Sequence, residues 1–178
     1  MATPDESLDD IFQPGGRLRL DLLTESATEA LRESLRLARE TRWDTVRSPH
    51  VFMGLLAVPD ESVRNWGERL QADLPTLLSQ FQELFHQEQG EEEAVLVLNR
   101  EFLSDNVIRL LRDAHNRATD HGRQRLTPMD LLISLLTAPN SIVADCFARI
   151  GITAAKLTEL AVIAEHNGGN ERGHRANS

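Results

Sequence analysis

The chain of 178 residues has no tyrosine, two tryptophans and six phenylalanines. Aromatics at 4% leave few platforms on which nucleobases could stack. Positive charge is also short, with 19 Lys and Arg against 28 Asp and Glu and a net charge of −9. Neither a phosphate backbone nor an anionic membrane surface is an expected partner for such a chain. The single Cys146 cannot form an internal disulfide. No apolar run approaches the roughly 18 residues that span a bilayer. The acidic opening MATPDESLDDIFQPGG has no apolar centre, so no secretory signal is read there and a cytoplasmic protein is expected. Metal chemistry lacks its usual spacings: there is no HExxH or CxxC, and His115 and His121, six apart, do not share a helix face. A phosphate-cradling loop is missing too. The nearest spacing, Gly168 to Gly173, is followed by His174 and Arg175 instead of the Lys and Ser or Thr that would meet phosphate and Mg²⁺. No cofactor, metal, nucleotide or catalytic role is expected.

What the chain does have is an internal repeat. SPHVFMGLLAVP at 48–59 and PMDLLISLLTAP at 128–139 are both short, apolar and closed by proline. An offset of 80 residues carries Leu55 onto Leu135, Thr24 onto Ser104, Leu31 onto Leu111 and Ala38 onto Ala118. Further along it carries Pro59 onto Pro139, Asp60 onto Asn140, Val63 onto Val143, Asp73 onto Thr153 and Leu77 onto Leu157. The Ser48-Pro49 pair aligns with Thr127-Pro128 only at offset 79, which implies a one-residue slip in the turn before the second short helix.

Each repeat reads as four helices. Thr24 or Ser26 caps the first, whose Ala27, Leu31, Leu35 and Ala38 recur at helical spacing, and SATE has the form of a capping box. Ser48 with Pro49 opens the short helix, Asp60 opens a third carrying Val63, Trp66 and Leu70, and Asp73 with Pro75 opens a fourth. The second copy uses Ser104, Thr127-Pro128, Asn140 and Thr153. Strand patterns are nearly absent, the exception being AVLVL at 94–98. The fold class expected is therefore all-α, with two pseudo-twofold-related four-helix repeats and about eight helices. Its parts are a flexible segment 1–17, a double domain 18–165 and a disordered polar tail 166–178. Within the domain, repeat one is 22–86, an acidic linker containing Glu91-Glu92-Glu93 is 87–100, and repeat two is 101–165.

The Ala-rich first helix, the turn and SPHVFMGLL with its His50 resemble the repeat at the N-terminus of Clp ATPases, seen twice here as in that family. The resemblance covers roughly residues 18 to 165, and RLDLLTESATEAL is especially similar to the start of the disaggregase branch. It implies an all-α pseudo-twofold bundle that does no chemistry. It also implies a protein-docking role, with a Clp ATPase motor, its adaptor or client polypeptides as partners. Two forms of this role are open: a stand-alone module, or the excised N-terminal domain of a full Clp unfoldase, disaggregase or secretion-associated relative.

Four residues are candidates for protein binding: Thr24, Trp43, Arg123 and Met129. Trp43 lies in the turn RWDTV, where its repeat partner is Arg123, so it serves as a lid on the bundle or as an anchor for a partner. Trp66, at helical spacing with Val63 and Leu70, belongs to the core, and so does Cys146. His50 reads as a capping or packing group. In many relatives a glutamate precedes the histidine of each short helix, and in some branches these glutamates recognise phosphoarginine. Here Pro49 and Met129 stand in their places, and Asp130 matches His50. A carboxylate pairs bidentately with a guanidinium, which neither a prolyl ring nor a thioether can do. Phosphoarginine and cationic tags are therefore not expected ligands, and a groove near Thr24, Arg123 and Met129 is expected to favour apolar or acidic segments.

Overall fold

A computed structural model describes residues 10–90 and 95–177, with side chains through 167. The Glu91-Glu92-Glu93 run and residues 1–9 lie outside the described residues. Eight α-helices are present among those described: α1 Glu25–Glu40, α2 Ser48–Ala57, α3 Glu61–Leu70, α4 Leu74–Leu84, α5 Asp105–Asp120, α6 Pro128–Thr137, α7 Ile142–Ala148 and α8 Ala154–Asn177. Short 3₁₀ turns at Leu20–Leu22 and Arg100–Phe102 precede α1 and α5. The described residues form no strand, only isolated bridges. No single helix is long and apolar enough to cross a membrane.

The offset of 80 holds in the structure. The Thr24 hydroxyl accepts from the Ala27 N–H at 3.2 Å, and Ser104 does the same for Val107 at 3.3 Å. Asp60 caps α3 and Asp73 caps α4, while the Thr153 hydroxyl accepts from the Lys156 N–H at the start of α8. Each cap satisfies one of the N–H groups that a first helical turn leaves without a partner.

Two details of punctuation differ from expectation. The N-cap of α2 is Arg47, not Ser48, and its backbone angles (φ −113°, ψ 168°) match those of Thr127 (φ −107°, ψ 166°). No slip exists, because Ser48 and Pro49 occupy the first two helical positions whereas Thr127 and Pro128 straddle the cap. Asn140 does not cap α7; it takes a left-handed turn at φ +57°, and the Ser141 hydroxyl accepts from the Ala144 N–H instead. Ser26, inside α1, has no capping role, so the SATE box goes unused.

The two short helices lie at the centre. Every residue from Pro49 to Leu56 in α2 and from Pro128 to Leu136 in α6 is buried. A helix with no polar face can only be an interior helix, and the other six cover these two. The halves are tied together by reciprocal backbone pairs. The Thr24 N–H donates to Leu126 O at 3.0 Å and the Leu126 N–H to Leu22 O at 2.8 Å. At the equivalent positions the Ser104 N–H donates to Val46 O at 3.0 Å and the Val46 N–H to Phe102 O at 2.9 Å. Each repeat thus lends the entry to its first helix to the turn before the other's short helix.

The halves differ in how closely their first two helices approach. A Cβ built on Gly54 would lie 2.2 Å from Ala30 O and 2.4 Å from the Ser34 hydroxyl, so α1 and α2 touch backbone to backbone. The equivalents of Gly54, Ala30 and Ser34 are Ser134, Leu110 and Ala114, and with those side chains α5 and α6 cannot come so close. Phe52, Trp66, Phe81 and Phe147 cluster where the repeats meet, with Phe52 and Phe81 centroids 4.9 Å apart and Trp66 and Phe147 6.4 Å apart. Trp66 is fully buried, and its indole N–H donates across the interface to Leu157 O at 3.1 Å. At the equivalent positions Cys146 is half-buried and Phe147 buried, so the large-small pair Trp66-Gly67 faces the small-large pair Cys146-Phe147.

Both chain ends depart from expectation. In the segment expected to be flexible, Ile11 and Phe12 are buried, because an apolar pair in an otherwise polar stretch gains by joining the core. At the other end, α8 continues to Asn177 through the residues expected as a tail. Its described core contacts are made by Leu157, Ala161 and Ala164, all in its first three turns. The described residues of the AVLVL stretch, 95–98, form no strand. Leu96 and Leu98 pack on the core while Val95 and Val97 are exposed, the alternation of an extended chain.

Replacing Trp66 with alanine removes a buried indole and its inter-repeat hydrogen bond, so we expect a loss of about 3–5 kcal/mol in unfolding free energy. Urea denaturation followed by circular dichroism measures it; a loss below 1 kcal/mol would show that the interface repacks around the hole.

Candidate docking surface

The four candidate residues do not form one site. Thr24 and Arg123 flank the turn that enters α6: the Thr24 N–H bonds Leu126, and Arg123 reaches Asp130. Met129 sits on the same turn but is only 1% exposed, so the groove contact expected of it is corrected to a core contact. The reason is that α6 is apolar all round and the sequence offers no polar stripe to mark its outer face. Trp43 lies at the counterpart turn in repeat one. It is half-buried, donates its indole N–H to Phe85 O at 2.7 Å and stands edge-on to His50 at 5.6 Å, with the Arg47 guanidinium 4.8 Å above its ring. This is the lid, tied at both ends.

Four equivalent positions carry opposite chemistry in the two repeats. Leu37, Trp43, His50 and Phe85 in repeat one correspond to Arg117, Arg123, Asp130 and Glu165 in repeat two. In repeat one, the Arg47 N–H donates to His50 Nδ1 at 3.0 Å, which places the ring proton on Nε2, 3.0 Å from the Thr41 hydroxyl. That hydroxyl donates in turn to Leu37 O at 2.8 Å. Burial, with a smaller contribution from Arg47, lowers the His50 pKa to about 4, so the ring is neutral at physiological pH.

In repeat two the same helix position holds a carboxylate with no exposed side-chain surface. Asp130 accepts from the Thr127 N–H at 2.8 Å, from Arg117 at 2.7 Å and from both terminal nitrogens of Arg123, with Arg123 Nη2 at 2.8 Å. Burial alone would raise its pKa, but the bonds from Arg123, the Thr127 N–H and Arg117 outweigh that and hold it below the ordinary carboxylate range. Arg117 also forks onto Glu165 at 2.8 and 2.9 Å, fastening α8 to α5. Two guanidiniums and two carboxylates thus neutralise one another. Arg123, expected to offer its charge to a partner, is engaged internally. This ion cluster escaped the sequence reading, although the offset of 80 already set Arg117, Arg123, Asp130 and Glu165 against Leu37, Trp43, His50 and Phe85.

A recess lies elsewhere, between α5 and the loop joining α6 to α7. Leu110 and Leu135 form its floor side, Arg109 and Asp113 stand on the α5 rim, and Pro139 and Ile142 face them. Ile142 is 45% exposed, a large apolar side chain left open at the edge of a concavity. Ser48, at the start of α2, also lines the recess. Among the described residues no three His, Cys, Asp or Glu side chains converge as metal ligands would. Cys146 is half-buried and its thiol pKa is pushed up, first by burial, which is the reverse of an activated nucleophile.

The described residues form an all-helical pair of four-helix repeats joined by reciprocal backbone bonds, which defines a double-repeat helical domain. Residues 102–166 match the family model for the Clp repeat N-terminal domain, and the chain carries that fold across both halves. The N-terminal domain of the chaperone ClpD from Arabidopsis thaliana is similar at 18% identity and a TM-score of 0.64, over 83% of this chain and 97% of that one. The Hsp104 N-terminal domain from Candida albicans is similar at 12% identity and a TM-score of 0.64, over 79% and 89%. A ClpV N-domain in complex with a VipB peptide is similar at 17% identity and a TM-score of 0.61, over 82% and 89%. No curated protein matches the sequence at a significant level.

The two buried groups predict a two-stage pH response. The folded pKa of His50 lies below its unfolded value of about 6.5, so its neutral form contributes stability above that pH, and the contribution is lost as pH falls towards 4. The difference amounts to about 3 kcal/mol. Asp130, with a lowered folded pKa, keeps its contribution until the pH falls below the ordinary carboxylate value and through its own. Urea denaturation between pH 7 and pH 4 should give a sloping stability profile that His50→Gln flattens and Asp130→Asn does not.

Proposed function

We propose that this chain is a non-enzymatic docking module that presents polypeptides to a Clp-type unfolding motor, as adaptor or substrate-binding domain. The reading rests on one observation: the complete double-repeat fold is shared with N-domains of such motors, one of which is known in complex with a peptide. In this chain the recess of repeat two is the docking point. An extended segment packs an apolar side chain against the exposed Ile142, while Arg109 and Asp113 bond its backbone or polar flanks. Thr24 and Arg123 shape the neighbouring turn and act on docking through it.

The groove offers no carboxylate pair for a guanidinium. The one buried carboxylate at a short-helix start, Asp130, is already filled by Arg117 and Arg123. Phosphoarginine and cationic tags are therefore not ligands in this reading, and apolar segments are.

Affinity capture from native lysate with the wild-type chain and with Ile142→Asp tests the role and the site together. A Clp-type motor subunit or its clients should be retained by the wild type and lost with the variant, whose circular dichroism stays unchanged. Retention unaffected by Ile142→Asp would place the docking site away from the recess. Calorimetric titration with Mg·ATP should give no binding heat; micromolar binding would overturn the non-enzymatic reading.

A further inference from the structure

Residues 10–18 form a strap laid across repeat two, and no feature of the docking reading uses it. The strap is a tight antiparallel turn. Its outer limb, Asp10 to Gln13, is bonded to its inner limb, Arg17 to Arg19: the Arg19 N–H donates to Ile11 O and the Gln13 N–H to Arg17 O, both at 2.8 Å. The inner limb is bonded to the inter-repeat connection, with the Leu18 N–H donating to Leu98 O at 3.1 Å and the Arg100 N–H to Gly16 O at 2.7 Å. Between the limbs lies Gln13-Pro14-Gly15-Gly16, where Gly16 takes a φ of +95° that suits only glycine.

The outer limb is held like a bound peptide. Asp10 takes a bidentate pair from Arg112 of α5, Nε and Nη2 each at 3.1 Å. The same guanidinium lies 5.7 Å from the Phe12 ring centroid. Ile11 and Phe12 are 1% and 2% exposed. One arginine therefore reads a carboxylate and an aromatic ring two residues apart, with an aliphatic side chain buried between them. Burial acts first to raise the Asp10 pKa, but the Arg112 pair outweighs it and keeps the carboxyl below its ordinary value, so the pair is ionised at neutral pH. The offset of 80 sets Arg32 against Arg112, but the residues it sets against Ile11 and Phe12 are Glu91 and Glu92.

Outer and inner limbs differ in what anchors them. The described bonds of the outer limb run to Arg17, Arg19 and Arg112, whereas the inner limb is stitched to residues 98–100. A Cβ on Gly15 would meet nothing within 4 Å, so the loop between the limbs turns in open space. Release of the outer limb about Gly15-Gly16 would draw Ile11 and Phe12 out of the core and leave the inner limb bonded to residues 98–100.

We propose that the seat of Ile11 and Phe12, gated by Arg112, is a second docking site, for a partner polypeptide that presents an acidic residue followed by an aliphatic and an aromatic one. Residues 10–13 fill it in cis and give way to that partner. The acidic residue is required by Arg112, and the two apolar residues by the depth at which Ile11 and Phe12 lie. A ligand that must compete with a tethered copy of itself binds with an apparent dissociation constant equal to its intrinsic one divided by the fraction of open seats. Loosening the strap should therefore strengthen binding in trans.

A fluorescein-labelled peptide with the sequence of residues 8–19, LDDIFQPGGRLR, tests this by fluorescence anisotropy on the purified full-length chain. Asp10→Ala and Phe12→Ala chains should bind it about tenfold more tightly than the wild type, as expected when an internal competitor is removed. Arg112→Glu should abolish binding, and a peptide with Ile-Phe replaced by Ala-Ala should not bind. Asp10→Ala removes the strap's pair with Arg112 without deleting an apolar side chain, and so guards against loss of fold in Phe12→Ala. No binding to a folded Asp10→Ala chain would overturn the proposal. So would a concentration-dependent dimer of that variant in size-exclusion chromatography with no uptake of peptide, which would make the strap an element exchanged between copies. The readout uses a synthetic peptide and is independent of whether the recess captures a partner.

Discussion

Two helices without a polar face set the terms of this fold. Water cannot solvate any side of α2 or α6, so each must be enclosed, and neither repeat has enough helices to enclose its own. The structure meets this by placing the pair back to back and closing the seams with the four reciprocal backbone bonds at Leu22–Thr24, Val46, Phe102–Ser104 and Leu126. Trp66 reinforces the closure, since its ring fills the interface and its N–H satisfies a carbonyl of the opposite half. The remaining helices bury one side each and leave their charged faces to solvent.

Against this shared frame, the halves have diverged where their short helices begin. The N3 position of a helix faces unpaired N–H groups and the positive end of the helix dipole, so it favours an acceptor. A neutral imidazole and a carboxylate both meet that need, but they demand different company. His50 is surrounded by an indole, a hydroxyl and aliphatic groups, which are compatible with a ring kept uncharged. Asp130 requires two guanidiniums, and these in turn recruit Glu165 from α8. The residue at this one position thus constrains the chemistry of three others. A buried charge with one partner removed costs several kcal/mol, which binds the four residues to change together.

Much of the architecture could be read from residue order alone, and the reasons differ by element. Caps are local: Thr24, Ser104, Asp60, Asp73 and Thr153 each act within three residues, so their positions were readable without knowing the fold. The repeat was legible because apolar spacing and punctuation recur together at one offset. The strap was not, since Ile11 and Phe12 form an apolar pair with no period, inside a stretch whose Asp, Gly and Pro content suggests solvent. Exposure along α6 was hidden for the opposite reason: a helix apolar on all sides does not indicate which residues look outward, and Met129 was assigned to a surface it does not reach. The recess draws its walls from α5, the loop after α6 and Ser48 of the other repeat, residues whose proximity no local pattern announces.

The crossed backbone pairs have a meaning for descent. In two separate copies of the repeat, the segment entering the first helix of one would pair with the turn before the short helix of the other, and the reverse. This is the arrangement of an isologous homodimer with exchanged arms. Joining two such copies in one polypeptide turns a concentration-dependent association into a permanent one. The duplicated gene is then released from symmetry: one copy can keep the tight Gly54 contact that holds the assembly, while the other is free to open a cleft.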